Sequence, residues 1–125
     1  MTEAKMGQVQ LKIMQLLWKL GRATARELTD ELNKTESIAH STVQTLLRQL
    51  ETKGSVNHEQ DGRTFYFFPV VKEEKVKKSA ARELIENVFE GSVGGLVSYL
   101  LENEKVSADE LAEIRKLLDK KRKAP

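Results

Sequence analysis

Between Ser41 and Lys53 the chain reads STVQTLLRQLETK. At helical spacing, Thr42, Gln44, Thr45, Arg48, Gln49 and Thr52 share one side of this stretch. Their chemistry is that of forked and short hydrogen-bonding groups. Arg can pair with guanine, Gln with adenine, and a Thr methyl can touch the thymine methyl. A solvated helix would sooner carry Glu and Lys, because Thr loses rotamer freedom in a helix. A plain polar, solvated face remains the alternative for this helix taken alone. The other side carries Val43, Leu46, Leu47 and Leu50 at i, i+3, i+4 and i+7. That spacing predicts a helix anchored in a core by its apolar stripe.

The flanking elements must hold such a helix. Gln8 to Leu20 predicts a first helix, with Val9, Ile13, Leu16, Leu17 and Leu20 on one face and Met6 just ahead. Leu11, Met14 and Trp18 form a second stripe, so this helix is expected to pack on two sides, with Trp18 in the core or an interface. Gly21 stands where a left-handed terminating residue is wanted. Thr24 and Glu27 have the capping-box spacing and open a short helix whose Ala25, Leu28 and Leu32 face inward. Asn33 to Ala39 reads as a loop. Ser41 and Gln44 repeat the capping-box spacing and are expected to open the central helix. Two short capped helices with a brief connection form a helix-turn-helix.

Gly54 ends the central helix. Ser55 to Gln60 and Thr64 to Val70 are strand-like, with the hairpin signal Asp61-Gly62 between them and Arg63 beside the tip. Pro69 limits pairing at the strand end. Phe65 and Phe67 are expected to pack beneath this hairpin. A helix-turn-helix followed by a β-hairpin is a winged helix, in which Arg63 would meet a phosphate or the minor groove.

Other chemistries find little support. His40 and His58 are the only histidines and Cys is absent, which makes a poor metal site. Surface or groove-edge roles suit both histidines better. No Ser-His-Asp order, phosphate-binding Gly loop or His-Glu zinc motif is present, and no catalytic set is visible. Glu73-Glu74 sits among charged helix formers and reads as a solvated face. No cofactor and no metal are expected. The first ten residues do not read as a signal peptide, and no apolar run approaches the roughly 18 residues that cross a membrane. A cytoplasmic protein with no membrane partner is expected. Net charge is only +2. Residues 1–70 hold 9 Lys/Arg and 8 Asp/Glu, and residues 71–125 hold 12 and 11, so each part is +1. Any nucleic-acid surface must therefore come from local arrangement.

From Lys72 the composition shifts to helix formers of both charges. Val76, Ala80, Leu84 and Val88, widened by Ala81, Ile85 and Phe89, stripe a long helix ended by Gly91. Ser92 can cap the next, where Val93, Leu96, Val97, Leu100 and Leu101 recur at helical spacing. Gly94 and Gly95 either weaken its first turn or let another backbone approach. Ser107 and Glu110 have capping-box spacing before Leu111, Ile114, Leu117 and Leu118, and KKRK reads as a solvated tail. Some 50 residues are too few for an independent core, and pairing with a second copy would bury the stripes. Leu96, Leu100, Leu111, Ile114 and Leu118 are the expected dimer interface. A two-fold dimer also suits a helix-turn-helix gripping two half-sites.

The fold class expected is thus mainly α with a small β-hairpin wing: a winged helix-turn-helix in residues 1–71 and a three-helix dimerisation region in residues 72–125. The runs LLWKLGRATARELTDELN, HSTVQTLLRQLETKGSVNHEQDGRTFYFFPV and LIENVFEGSVGGLVSYLLENEKVSADELAEIRKLL resemble the penicillinase-repressor family. The likeness runs from about Gly7 to Leu118. Its most specific parts are the L-W before a Gly, T-A-R-E, S-T-V-x-T-L-L-x-x-L-x-x-K-G, the G-R-x-F/Y-x-F/Y-x-P wing strand and F-x-G-S-x-x-x-L-V. The resemblance implies a homodimeric repressor that binds double-stranded inverted-repeat operators. It assigns DNA contact to Ser41, Thr42, Gln44, Thr45, Arg48 and Arg63. Two branches of the family differ from this chain. Paired Cys near the C-terminus, used for copper sensing, are missing, which excludes sensing through such a site. An Asn-Phe bond cut in the β-lactam-responsive branch aligns with Tyr99-Leu100, so a regulatory protease stays an open partner and the inducer is not named. Gln44 also stands where many relatives carry Lys. Rival readings are a winged helix that binds protein, and a small-molecule-sensing regulator of the multiple-antibiotic-resistance type.

Overall fold

The computed structural model describes residues 6–124. In chain order it forms helix α1 (Gln8–Leu20), strand β1 (Ala23–Thr24), helices α2 (Ala25–Leu32) and α3 (His40–Thr52), and strands β2 (Val56–Asp61) and β3 (Thr64–Pro69). Helices α4 (Glu73–Val88), α5 (Val93–Asn103) and α6 (Ala108–Lys123) follow. The described residues fall into two compact units that divide between Ser79 and Ala80, within α4.

The first unit is built around the apolar stripes of its helices. Ile13, Met14 and Leu17 of α1, Leu28 and Leu32 of α2, and Val43, Leu47 and Leu50 of α3 are buried with Ala23 and Val56. Each large side chain buried this way stabilises the fold by about 1.5–3 kcal/mol. Leu16, Trp18 and Leu46 pack against this core half-buried. Leu20 departs from the expected face: it is 49% exposed, because the helix runs past the core in its last turn. Gly21 stops α1 with φ +87° and donates its N–H to the Leu17 carbonyl at 2.8 Å. Trp18 donates its indole N–H to the carbonyl of Val71 at 3.0 Å, tying down the chain as it leaves the hairpin.

Local capping holds α2 as expected. The Thr24 hydroxyl accepts from the Glu27 N–H at 3.1 Å, and the Glu27 carboxylate accepts from the Thr24 N–H at 2.9 Å. The start of α3 differs from the expectation. Ala39, not Ser41, is the N-cap, and no side chain caps this helix. The reason lies in the preceding turn. Asn33 donates to the carbonyls of Thr29 and Ile38, both at 2.8 Å, and accepts from the Ile38 N–H at 3.1 Å. That clamp delivers the chain to α3 early enough that His40 is its first residue.

The sheet has the order β1-β3-β2 and is antiparallel throughout. β2 and β3 pair from Val56↔Pro69 to Asp61↔Thr64. The turn is therefore Gly62-Arg63, one residue later than Asp61-Gly62. Gly62 carries the positive φ, +64°, and Arg63 does not, the pattern of a turn with Gly at its first central position. β1 is a third strand that the sequence pattern did not indicate. Its two residues pair Ala23↔Phe67 and Thr24↔Tyr66, too short a run to show an alternation. Arg22 beside it lies 4.4 Å over the Tyr66 ring.

The second unit holds the C-terminal part of α4 with α5 and α6. The Ser92 hydroxyl accepts from the Gly95 N–H at 2.8 Å and caps α5. A Cβ on Gly95 would meet Ser92 Oγ at 3.1 Å and Cβ at 3.2 Å, so this glycine makes room for the cap. Ser107 caps α6 by accepting from the Glu110 N–H at 3.1 Å, one half of the expected capping box. The run Lys120 to Lys123 is the last turn of α6 rather than a tail. Four cations there face the negative end of the helix dipole, which favours its continuation. Phe89 and Tyr99 meet edge to face at 5.8 Å. No described residue of α4, α5 or α6 is buried.

Candidate nucleic-acid interface

α3 turns one face into the core and the other to solvent. Ser41, Thr42, Gln44, Thr45 and Arg48 are all exposed, as is Arg63 at the hairpin tip. Thr45 donates its hydroxyl to the Ser41 carbonyl, and Thr52 to that of Arg48, both at 3.0 Å. With their protons spent on the backbone, these threonines offer methyl groups and oxygen lone pairs outward.

An open groove of about 520 Å³ lies between α3 and the hairpin. It brings Gln44 and Arg48 of α3 together with Arg63 of the tip, and adds Arg26 of α2. Thr45 and Arg48 line a second recess with Thr52 and Lys53, where Gln49 is held by a hydrogen bond from Gln10 at 3.0 Å. Ser41 and Thr42 stand exposed and line neither recess. The first groove therefore offers three guanidinium groups and a carboxamide, suited to phosphates and base edges.

The groove also holds residues the reading of α3 alone left aside. His40 opens α3 with its Nδ1 3.1 Å from the Thr29 hydroxyl. Because that hydroxyl donates to the Ala25 carbonyl at 2.7 Å, it accepts from His40. Glu51 and His58 face each other across the groove at 2.5 Å. Both histidines line the groove, one of the surface or groove-edge roles expected of them. Phe67 packs against the core as expected, but Phe65 does not: it is 42% exposed and stacks on His58 at 4.3 Å. Strand alternation, counted from β2, is the one signal that would have put His58 on the groove side.

Of the residues expected at a dimer interface, Leu100, Leu111 and Leu118 are 43%, 47% and 58% exposed. Leu96 and Ile114 are half-buried. Val88, Val93, Leu101 and Leu117 add to the exposed apolar surface of this unit.

Three helices, the third presented beside a β-hairpin, define a winged helix-turn-helix protein. The family model for the penicillinase repressor matches residues 6–120, and the chain belongs to that family. The penicillinase repressor of Bacillus licheniformis is 28% identical over 92% of this chain and 90% of its own. The methicillin resistance regulatory protein MecI of Staphylococcus aureus is 26% identical over 94% of this chain and 95% of its own. Among solved structures, the Bacillus licheniformis BlaI monomer in complex with the blaP half-operator is 32% identical, with a TM-score of 0.50 over 58% of this chain and 89% of that one. MarR from E. coli, at 19% identity, shares the fold with a TM-score of 0.55 over 93% of this chain and 75% of that one. No helix among the described residues is long and apolar enough to cross a membrane.

Proposed function

We propose that this chain is a DNA-binding transcriptional repressor that acts as a homodimer on an inverted-repeat operator. The observation that carries the proposal is the groove between α3 and the wing. A core-anchored helix presents Gln44 and Arg48 there, and Arg26 and Arg63 supply fixed positive charge. A relative of this chain has been solved with a half-operator, which supports DNA as the partner of this chain. In this reading Arg48 and Gln44 read base edges, Ser41, Thr42 and Thr45 contact DNA from the outer face of α3, and Arg63 holds the backbone.

Residues 1–71 form the DNA-binding domain and residues 72–125 the dimerisation domain in this proposal. A single copy leaves α5 and α6 without a buried side chain, and their leucines need cover. A second copy supplies it, and the two-fold symmetry of the pair matches two half-sites. Selection of duplexes from random DNA by the intact protein tests the whole reading. Recovered fragments should share an inverted repeat. Fragments without a common sequence would refute operator recognition, and a common single site would refute the symmetric dimer.

A further inference from the structure

Glu51 is the one carboxylate that lines the groove between α3 and the wing among the described residues. A negative charge there opposes the approach of phosphates, and the partly enclosed setting screens it poorly. His58 meets it. Its Nδ1 lies 2.5 Å from Glu51 Oε1, with the side chains 27% and 36% exposed. The His58 ring is stacked on Phe65 at 16° and tilted against Phe67 at 5.5 Å, its partner in strand register. One imidazole thus touches the last turn of α3 and both strands of the wing.

We propose that the Glu51–His58 pair is a positioning latch that holds the wing against the reading helix and couples DNA binding to proton uptake at His58. The inference rests on the groove being the DNA interface. A neutral imidazole leaves the charge of Glu51 facing the DNA, whereas an imidazolium cancels it. The phosphates of a bound duplex further favour the protonated form. A group that holds its proton more tightly in the complex makes the complex tighter at low pH. Affinity is then highest at low pH and falls as pH rises.

The other charged groups of the groove are Arg26 from α2, His40 and Arg48 from α3, and Arg63 from the tip. β1 and β3 contribute no charge to it. Glu59 alternates to the other face of the sheet and pairs with Arg22 at 3.7 Å. The arginines keep their charge throughout. His40 is the other imidazole of the groove, with its Nδ1 at 3.1 Å from the Thr29 hydroxyl.

The test is fluorescence anisotropy with the full-length protein and a labelled mixed-sequence duplex, at constant salt, from about pH 6 to about pH 8. The parent should weaken with rising pH by up to about tenfold per unit, the limit for one proton. His58→Gln should bind more weakly than the parent at the lower pH and lose the pH slope. Adding Glu51→Gln to it should restore affinity, because the uncompensated carboxylate is gone. His40→Gln should keep the slope. Circular dichroism confirms that each variant retains its helices. A purely structural pair would leave the slope in place and make the double variant as weak as His58→Gln. That result, a flat parent profile, or loss of the slope in His40→Gln would overturn the latch. A parent that does not bind the duplex at low salt would instead sink the DNA reading itself.

Discussion

Arg48 and Arg63 are expected to respond differently to truncation. Arg48 projects from α3 into the proposed interface, and in that proposal its loss removes a base contact. Arg48→Ala should cost about 1–3 kcal/mol on a selected operator and much less on mixed-sequence DNA, as read by titration on both. Arg63 occupies the second position of the hairpin turn, and the proposed function gives it the DNA backbone rather than a base. Arg63→Ala should weaken binding to all sequences alike and reduce the slope of log affinity against log salt by about one. Equal losses on operator and mixed DNA for Arg48→Ala would remove it from base reading. The type and spacing of both arginines were legible in the chain. The engagement of Gln49 by Gln10 was not, because those residues are 39 positions apart and meet only through the packing of α1 on α3.

Among the elements, caps and turns do much of the positioning. Thr24→Ala removes the hydroxyl that satisfies the Glu27 N–H at the start of α2. It should lower stability by about 0.5–2 kcal/mol, seen as a lower denaturation midpoint with unchanged slope. Gly95→Ala probes the second unit. Its new methyl would crowd the Ser92 cap at 3.1–3.2 Å, so the first turn of α5 must shift. Far-ultraviolet circular dichroism should show a lower melting temperature than the parent, despite the higher helix propensity of Ala. A higher melting temperature would show that the cap yields without cost. The Thr24 and Ser92 caps were both readable as local patterns. The start of α3 was not, since Asn33 sets it from the preceding turn through three hydrogen bonds.

For the whole molecule, the proposed dimer makes affinity depend on residues far from the groove. Leu100→Asp would place an uncompensated charge in the interface, at a cost of several kcal/mol. Sedimentation at micromolar concentration should then show monomer, and a variant that stays dimeric would remove Leu100 from the interface. A chain ending at Val71 keeps the core residues from Ile13 to Val56 and the Trp18 bond to Val71. It should bind one half-site much as the intact protein does, yet lose most affinity for the full repeat. Joining two readers makes the second contact intramolecular, and that gain disappears with the C-terminal helices. Half-site centres should lie about 34–36 Å apart or a multiple of that, so that both reading helices face one side of the duplex.

The sequence by itself determined the three helices and the hairpin of the first unit and, Leu20 apart, the faces of those helices. Apolar residues at helical spacing name the buried side of α3 through Val43, Leu47 and Leu50, and Asp61-Gly62 marks the hairpin to within a residue. These are local signals, since period and turn chemistry act over a few positions. The family was likewise legible, because its motifs are contiguous runs. Only the tertiary structure decided which polar residues share the groove. β1 is too short to show a pattern, yet its pairing with β3 completes the sheet on which the wing stands. Phe65 and Phe67 are alike in type, but one stacks on His58 in the open and the other packs on the core. Glu51 and His58 lie on a helix and a strand whose separate periods carry no information about one another. Their contact follows from the register of β2 against β3 and the packing of α3 beside it, which bring a carboxylate and an imidazole together beside Arg48 and Arg63.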